Sequence, residues 1–223
     1  MASWMVHLRI ADKLLDQIPD ISPVEFIVGN IAPDSGVPND DWSAFTPNTT
    51  ISHFKTHGNK ADPQAFAAKY FTQDLRREYN TLQYAFYLGY LTHLITDVLW
   101  VRDVYAPAKL KFSELKEELG NDFIWAMKKD WYDLDFKYLR DHPDFRAFRI
   151  YFAATGFVNE FMDEFSPDAF DNRREYITGW YLLGRDGLDR EYQYLSEAEM
   201  NDFVENSAKE ILDILNTKYG TKL

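Results

Sequence analysis

His93 and Asp97 are four residues apart in the segment YLGYLTHLITDVLW, residues 87–100, and both side chains leave one face of a helix. The surrounding positions are apolar on nearly every side, which places the pair inside a domain. An imidazole beside a carboxylate is costly there unless something pairs with both. A divalent metal ion is one answer and a plain His–Asp hydrogen bond is the other. Gly89 lies one turn before His93 on the same face and leaves space where a side chain would otherwise stand.

The remaining candidates are few, because the chain has only five histidines. His7 lies on an apolar helical stretch near Trp4, and His53 precedes Phe54 in a long loop. His57 precedes a glycine, and His142 precedes Pro143 at a turn. Asp34 follows Pro33 in a segment rich in turn residues, where an Asx turn or helix cap is its ordinary role. Each also has an ordinary reading: a hydrogen-bonded core histidine for His7, a surface loop residue for His53, solvation for His57 and turn duty for His142. With no cysteine in the chain, disulfides, thiolate metal sites and a cysteine nucleophile are excluded. Any metal would be held by His, Asp, Glu, backbone or water, a donor set that suits hydrolysis rather than electron transfer. A formal net charge of −12 argues against a nucleic-acid scaffold as partner. It leaves room for a small phosphorylated substrate, because bound metal can reverse the local field.

The elements that must position these residues read as helices. Ser3 caps a first helix over about 4–17, with Val6, Ile10, Leu14 and Ile18 at helical spacing. A capping box at 22–25 with Pro23 opens a short helix ending near Gly29. Residues 30–62 form the longest irregular region, with no sheet expected, although 49–54 could be a short extended piece. Helices are expected over 63–71 and 74–100, after which Pro107 breaks the chain. Further helices are expected over 113–119, 121–139, 145–153, 156–165 and from 166 to about 181, and a second capping box at 196–199 opens a terminal helix. The expectation is an all-α, single-domain multi-helix bundle over residues 1–223. The chain shows no transmembrane segment and no signal peptide, so the expected localisation is cytoplasmic.

Taken in order, Trp4, His7, Asp34 in a turn, His53-Phe54 and His93/Asp97 resemble the landmarks of the zinc-dependent phospholipase C family, with fungal and plant zinc nucleases as a more distant branch. The resemblance covers about the first half of the chain, to Asp103. It implies a first metal held by Asp34, His53, His93 and Asp97, with Asp97 bridging to a second metal that His7 also binds. It implies one or two zinc ions, a water nucleophile shared between them, and Asp34 as the group that orients or deprotonates that water. The substrate class it implies is a small phosphorylated molecule or a phospholipid head group.

The chain also departs from the family pattern. Met1, Ala2 and Ser3 precede Trp4, whose counterpart ligates metal through its own amine in secreted members. Asp103 stands where the family has a histidine, and an H-x-x-x-E pair is missing from the second half. Glu160 and Glu164 could rebuild a carboxylate-rich site for magnesium or manganese, or be ordinary solvated charges. Asp133 or Asp135 could rim the pocket, and Arg173, Arg174 and Arg185 could meet a phosphate. A non-catalytic metal-binding descendant of the same fold is the alternative to a hydrolase. An HD-type phosphohydrolase is disfavoured, because the chain lacks the adjacent His-Asp pair.

Overall fold

The organising contact of the computed structural model lies between two helices, α2 (Pro23–Ile31) and α6 (Thr81–Trp100), which pack together more extensively than any other pair of described elements. The structure describes residues 1–41, 43–56, 58 and 60–221; His57 lies outside them. Two glycines set the close approach. A Cβ on Gly29 would stand 2.2 Å from the Phe86 carbonyl oxygen, and one on Gly89 would stand 2.1 Å from that of Phe26. The helices therefore touch backbone to backbone, each glycine facing the other helix. Gly89 makes room for main chain, a more specific role than the side-chain space read from the sequence.

The chain is 67% helical with almost no strand, so the all-α expectation holds. The described helices in chain order are α1 (Trp4–Leu15), α2, α3 (Thr49–Ser52), α4 (Pro63–Tyr70), α5 (Gln73–Glu78), α6, α7 (Ala106–Lys111), α8 (Ser113–Leu119), α9 (Phe123–Asp141), α10 (Arg146–Ala153), α11 (Ala169–Leu182) and α12 (Glu197–Lys218). α6 is buried at every position from 85 to 97, as its apolar composition requires. It starts where Asn80 accepts from the Gln83 backbone N–H and the Gln83 side chain accepts from the Asn80 N–H. That capping box splits the expected 74–100 helix, since Tyr79 before it is extended.

Other expectations shift for local reasons. Ser3 does not cap α1, because its hydroxyl is committed to Asp135. The Ser22 hydroxyl bonds the Glu25 side chain in place of a backbone N–H, and α2 runs on to Ile31. Residues 49–52 are helical, capped by the Asn48 side chain, and the loop holds a small antiparallel pair, Val37–Pro38 with Phe45–Thr46. Pro107 does not end the long helix. A π-helical turn over Val101–Tyr105 widens the backbone ahead of the ring, and the helix continues as α7. The expected helix over 156–165 is absent. Asn159 organises that stretch as a loop, accepting from the backbone N–H groups of Phe161 and Met162 and donating to the carbonyls of Met162 and Phe165. Such Asn bonding competes directly with a helical backbone. No described helix is long and apolar enough to cross a membrane.

Candidate metal centre

α1, the turn after α2, the end of α3 and the middle of α6 bring His7, Asp34, His53, His93 and Asp97 together. His7, His53 and His93 are fully buried, Asp97 is 3% exposed, and Asp34 is 10% exposed at the edge of a pocket. The α2–α6 contact orients His93. Its Nδ1–H donates to the Asn30 carbonyl at 2.7 Å, which leaves the Nε2 lone pair directed into the cluster. His53 Nδ1 is 2.9 Å from the Ser52 hydroxyl, and its Nε2 faces the same centre.

The separations among these inner atoms match a metal's needs better than a hydrogen-bond network's. His53 Nε2 lies 3.4 Å from Asp34 Oδ1, 3.4 Å from Asp97 Oδ2 and 3.3 Å from His93 Nε2. His93 Nε2 lies 3.7 Å from Asp97 Oδ2. Ligand atoms at zinc distance in a tetrahedron are separated by about 3.3–3.5 Å. The other half of the cluster is His7, whose ring stacks on His93 with centroids 3.8 Å apart and planes 3° apart. His7 Nε2 faces Asp97 Oδ1 at 3.5 Å. Among the described residues neither ring nitrogen of His7 has a hydrogen-bond partner, nor does Asp97 Oδ2. Leaving buried polar atoms unpaired costs about 1–3 kcal/mol each, and a metal at His7 Nε2 and Asp97 Oδ2 would remove that cost at those two atoms.

Two donor groups result, His7/His93/Asp97 and Asp34/His53/His93, each with ligand atoms within 4.8 Å of one another. They share His93, whose single inward nitrogen can serve one ion. Asp97 has an oxygen for each side, the geometry a bridging carboxylate needs. The N, O donor set fits zinc.

Electrostatics prepares the same state. Burial, reinforced by His7, pushes His93 down to about 3, so the imidazole is neutral and free to ligate. Burial alone would raise Asp34, but His53 and His93 outweigh it and hold the carboxyl well below its usual range. Asp97 is held low in the same way against burial, by the amino-terminal charge, His7 and His93. Neutral imidazole beside ionised carboxylate is the protonation state that metal binding requires.

Residues around the cluster hold the centre in place. The Ala2 N–H donates to Asp97 Oδ1 at 2.8 Å, and Trp4 Nε1–H donates to Asp34 Oδ2 at 3.0 Å. Trp4 thus holds a candidate ligand through its indole. Behind Ala2, the Ser3 hydroxyl donates to buried Asp135 at 2.8 Å, and Tyr181 donates to its other oxygen at 2.9 Å. Asp135 therefore anchors the amino-terminal segment and does not line the pocket. Burial pushes its carboxyl up to about 7, against the bonds from Ser3 and Tyr181 and the charge of Arg9. Ionisation is then harder in the folded chain than in the unfolded one, so this group withdraws stability as pH rises. Asp135→Asn is expected to gain stability relative to the parent protein from about pH 4 to about pH 7. Urea melts across that range measure the difference, and a flat difference contradicts the assignment.

The remaining candidates lie elsewhere. Asp103 forms a two-oxygen ion pair with Arg102, which also bonds Glu210. Glu164 accepts from Lys69 and Tyr70, and Glu160 is exposed on the loop that replaces the expected helix. Neither described donor group contains them. Asp133 pairs with Arg185 and Arg190. His142 stacks on Tyr138 and bonds its carbonyl.

A helical bundle that buries three histidines and two aspartates around one centre defines a class of candidate metal-dependent proteins. Within it, residues 6–100 match the family model described as zinc dependent phospholipase C. The matched segment contains His7, Asp34, His53, His93 and Asp97. No curated protein and no solved structure matches the chain.

Proposed function

We propose that the protein is a metal-dependent phosphoester hydrolase, phospholipase C-like, with zinc as its metal. The observation that carries this reading is the set of inward ligand atoms about 3.3–3.7 Å apart around His53 and His93. Asp34, His53, His93 and Asp97 would hold one ion, and Asp97 with His7 a second. Zinc held there supplies a Lewis acid for a phosphoryl oxygen and makes water a competent nucleophile near neutral pH. Asp34 lies where the buried centre meets the pocket, with Trp4 fixing one oxygen. Its Oδ1, 3.4 Å from His53 Nε2, is the oxygen that would meet the metal and, beside it, orient the metal-bound water. The family match supports a lipid or phosphoester as the substrate class.

One observation favours the non-catalytic alternative: Asp103, Glu160 and Glu164 do not join the cluster, so a third metal has no described ligands at those positions. Elemental analysis joined to a phosphoester panel decides between the two. Zinc in the purified protein and hydrolysis lost on chelation and regained with zinc are expected. Zinc removal should also lower the melting temperature by about 10 °C, since a ligand at a thousandfold excess over its Kd stabilises by about 4 kcal/mol. Tight zinc binding with no hydrolysis across the panel would establish the non-catalytic reading.

A further inference from the structure

A pocket of about 500 Å³ opens beside Asp34, and two of its lining residues are cations, Arg173 from α11 and Lys128 from α9. Arg102, Arg140, Arg146 and Arg190 each meet carboxylates, while Arg9 bonds the Asn201 side chain and Arg76 bonds backbone carbonyls. Arg173 likewise has no acid partner among the described residues, and unlike those two it lines this pocket. It is buried, and its Nη2 donates to the Gly36 carbonyl at 2.6 Å. Lys128 is half-buried with its ammonium 4.8 Å from the Trp125 ring, and it too has no carboxylate partner among the described residues. Burial lowers its pKa, and the charge of Asp34 opposes that effect. In a chain with 36 acidic and 24 basic residues, two cations without acid partners in one pocket require a reason.

The aromatic lining sharpens the choice of ligand. Aromatic faces can hold a quaternary ammonium, but here four of them face the protein's own cations. The Arg173 guanidinium lies 5.5 Å from the Tyr176 ring and 6.0 Å from those of Trp4 and Phe45. A ligand cation would meet two like charges in the pocket, and a ligand anion would find two donors. The single lining carboxylate, Asp34, already faces Trp4 and His53.

We propose that Arg173 and Lys128 form an anion subsite, so that the pocket takes phosphoesters carrying a second negative group, a carboxylate or a further phosphate, in preference to zwitterionic esters with a quaternary ammonium. This rests on the phosphoester reading above. The scissile phosphate would lie toward Asp34, and the second anionic group toward the two cations.

The test is calorimetric titration of the purified, zinc-replete protein with glycerophosphoserine and glycerophosphocholine. The serine ester is expected to bind about tenfold tighter. Arg173→Met and Lys128→Glu should each remove that preference with zinc content unchanged. Because Arg173 also holds the Gly36 carbonyl, Lys128→Glu carries the test if the arginine variant fails to fold. Sedimentation with phosphatidylserine or phosphatidylcholine vesicles separates the sources: selective pelleting with the former assigns a lipid, and binding of the soluble ester alone assigns a soluble one. Equal binding of the two esters, binding of neither, or a preference that survives in Lys128→Glu would overturn the subsite. A protein that binds selectively but hydrolyses nothing refutes the hydrolase reading and leaves the subsite standing. Indifferent hydrolysis and binding of both esters does the reverse.

Discussion

Asp97→Asn is expected to abolish metal-dependent activity while leaving the chain folded. Asp97 is the group on which the two halves of the cluster converge: Oδ1 faces His7 and accepts from the Ala2 N–H, and Oδ2 faces His53 and His93. Asparagine matches its volume and can still accept the Ala2 N–H, so the packing of α6 is preserved. It loses the charge that offsets a cation and offers no second anionic oxygen for another. Several kcal/mol of transition-state stabilisation disappear with the metal, so phosphoesterase kcat/KM should fall about a thousandfold or more. The structural control is built into the measurement. Added zinc should raise the melting temperature of the parent protein by about 10 °C and that of the variant by little, each compared with its own metal-free form. A variant that still melts higher with zinc and keeps its activity would remove Asp97 from the metal set, and the bridging arrangement with it.

The parts of this site that could be read from the sequence are those whose chemistry is repeated in spacing or type. His93 and Asp97 announce themselves because two polar groups interrupt an otherwise apolar helix at i, i+4. Asn30, Ser52, Ala2 and Asp135 do not, because they act through a carbonyl, a hydroxyl, a backbone N–H and an anchoring carboxylate. Such groups carry no residue-type signature until the fold brings them in. Asp135 had one faint signal, as an acid next to apolar Leu134 and Phe136 within a helix, which allows a place on the pocket rim but does not show an anchor. The fold shows the same division. Periodic apolar positions locate α1, α6, α9 and α12, whereas the stretch around Asn159 has helical composition and no helix. There one side chain bonds backbone groups at five points, and local bonding outweighs propensity. Tyr79 is similar, since the capping pair that follows it restarts the helix. The two cations of the pocket were legible only as charges. Arg173 was noted as able to meet a phosphate, but its position on the pocket wall depends on where α11 packs.

Gly89→Ala should damage stability and metal binding together, because one contact serves both. The added methyl would lie 2.1 Å from the Phe26 carbonyl oxygen and 2.9 Å from the Asn30 backbone nitrogen. Those are main-chain atoms inside a regular helix, so no rotamer change relieves the clash, and α2 must retreat from α6. Overpacking of this kind costs about 3 kcal/mol, larger than the helix-propensity gain of about 1 kcal/mol from replacing glycine. In a domain of this size the net loss of about 2 kcal/mol lowers the melting temperature by roughly 4–8 °C. The same retreat lengthens the 2.7 Å bond from His93 Nδ1–H to the Asn30 carbonyl, which fixes the ring's orientation. Losing such an outer partner weakens metal affinity by about 10–100-fold. Zinc titration of the folded fraction at low temperature separates the two effects: a destabilised variant with parental zinc affinity would show that the glycine serves packing alone. Gly29→Ala provides the companion measurement. It meets the Phe86 carbonyl at 2.2 Å, two turns away from His93 on the same interface. A comparable loss of stability is expected there with a smaller loss of zinc affinity, because His93 lies one turn from Gly89 and two from Phe86. If both variants lose stability and zinc equally, the approach of α2 as a whole positions the ligand; if only Gly89→Ala releases zinc, the Asn30–His93 bond does.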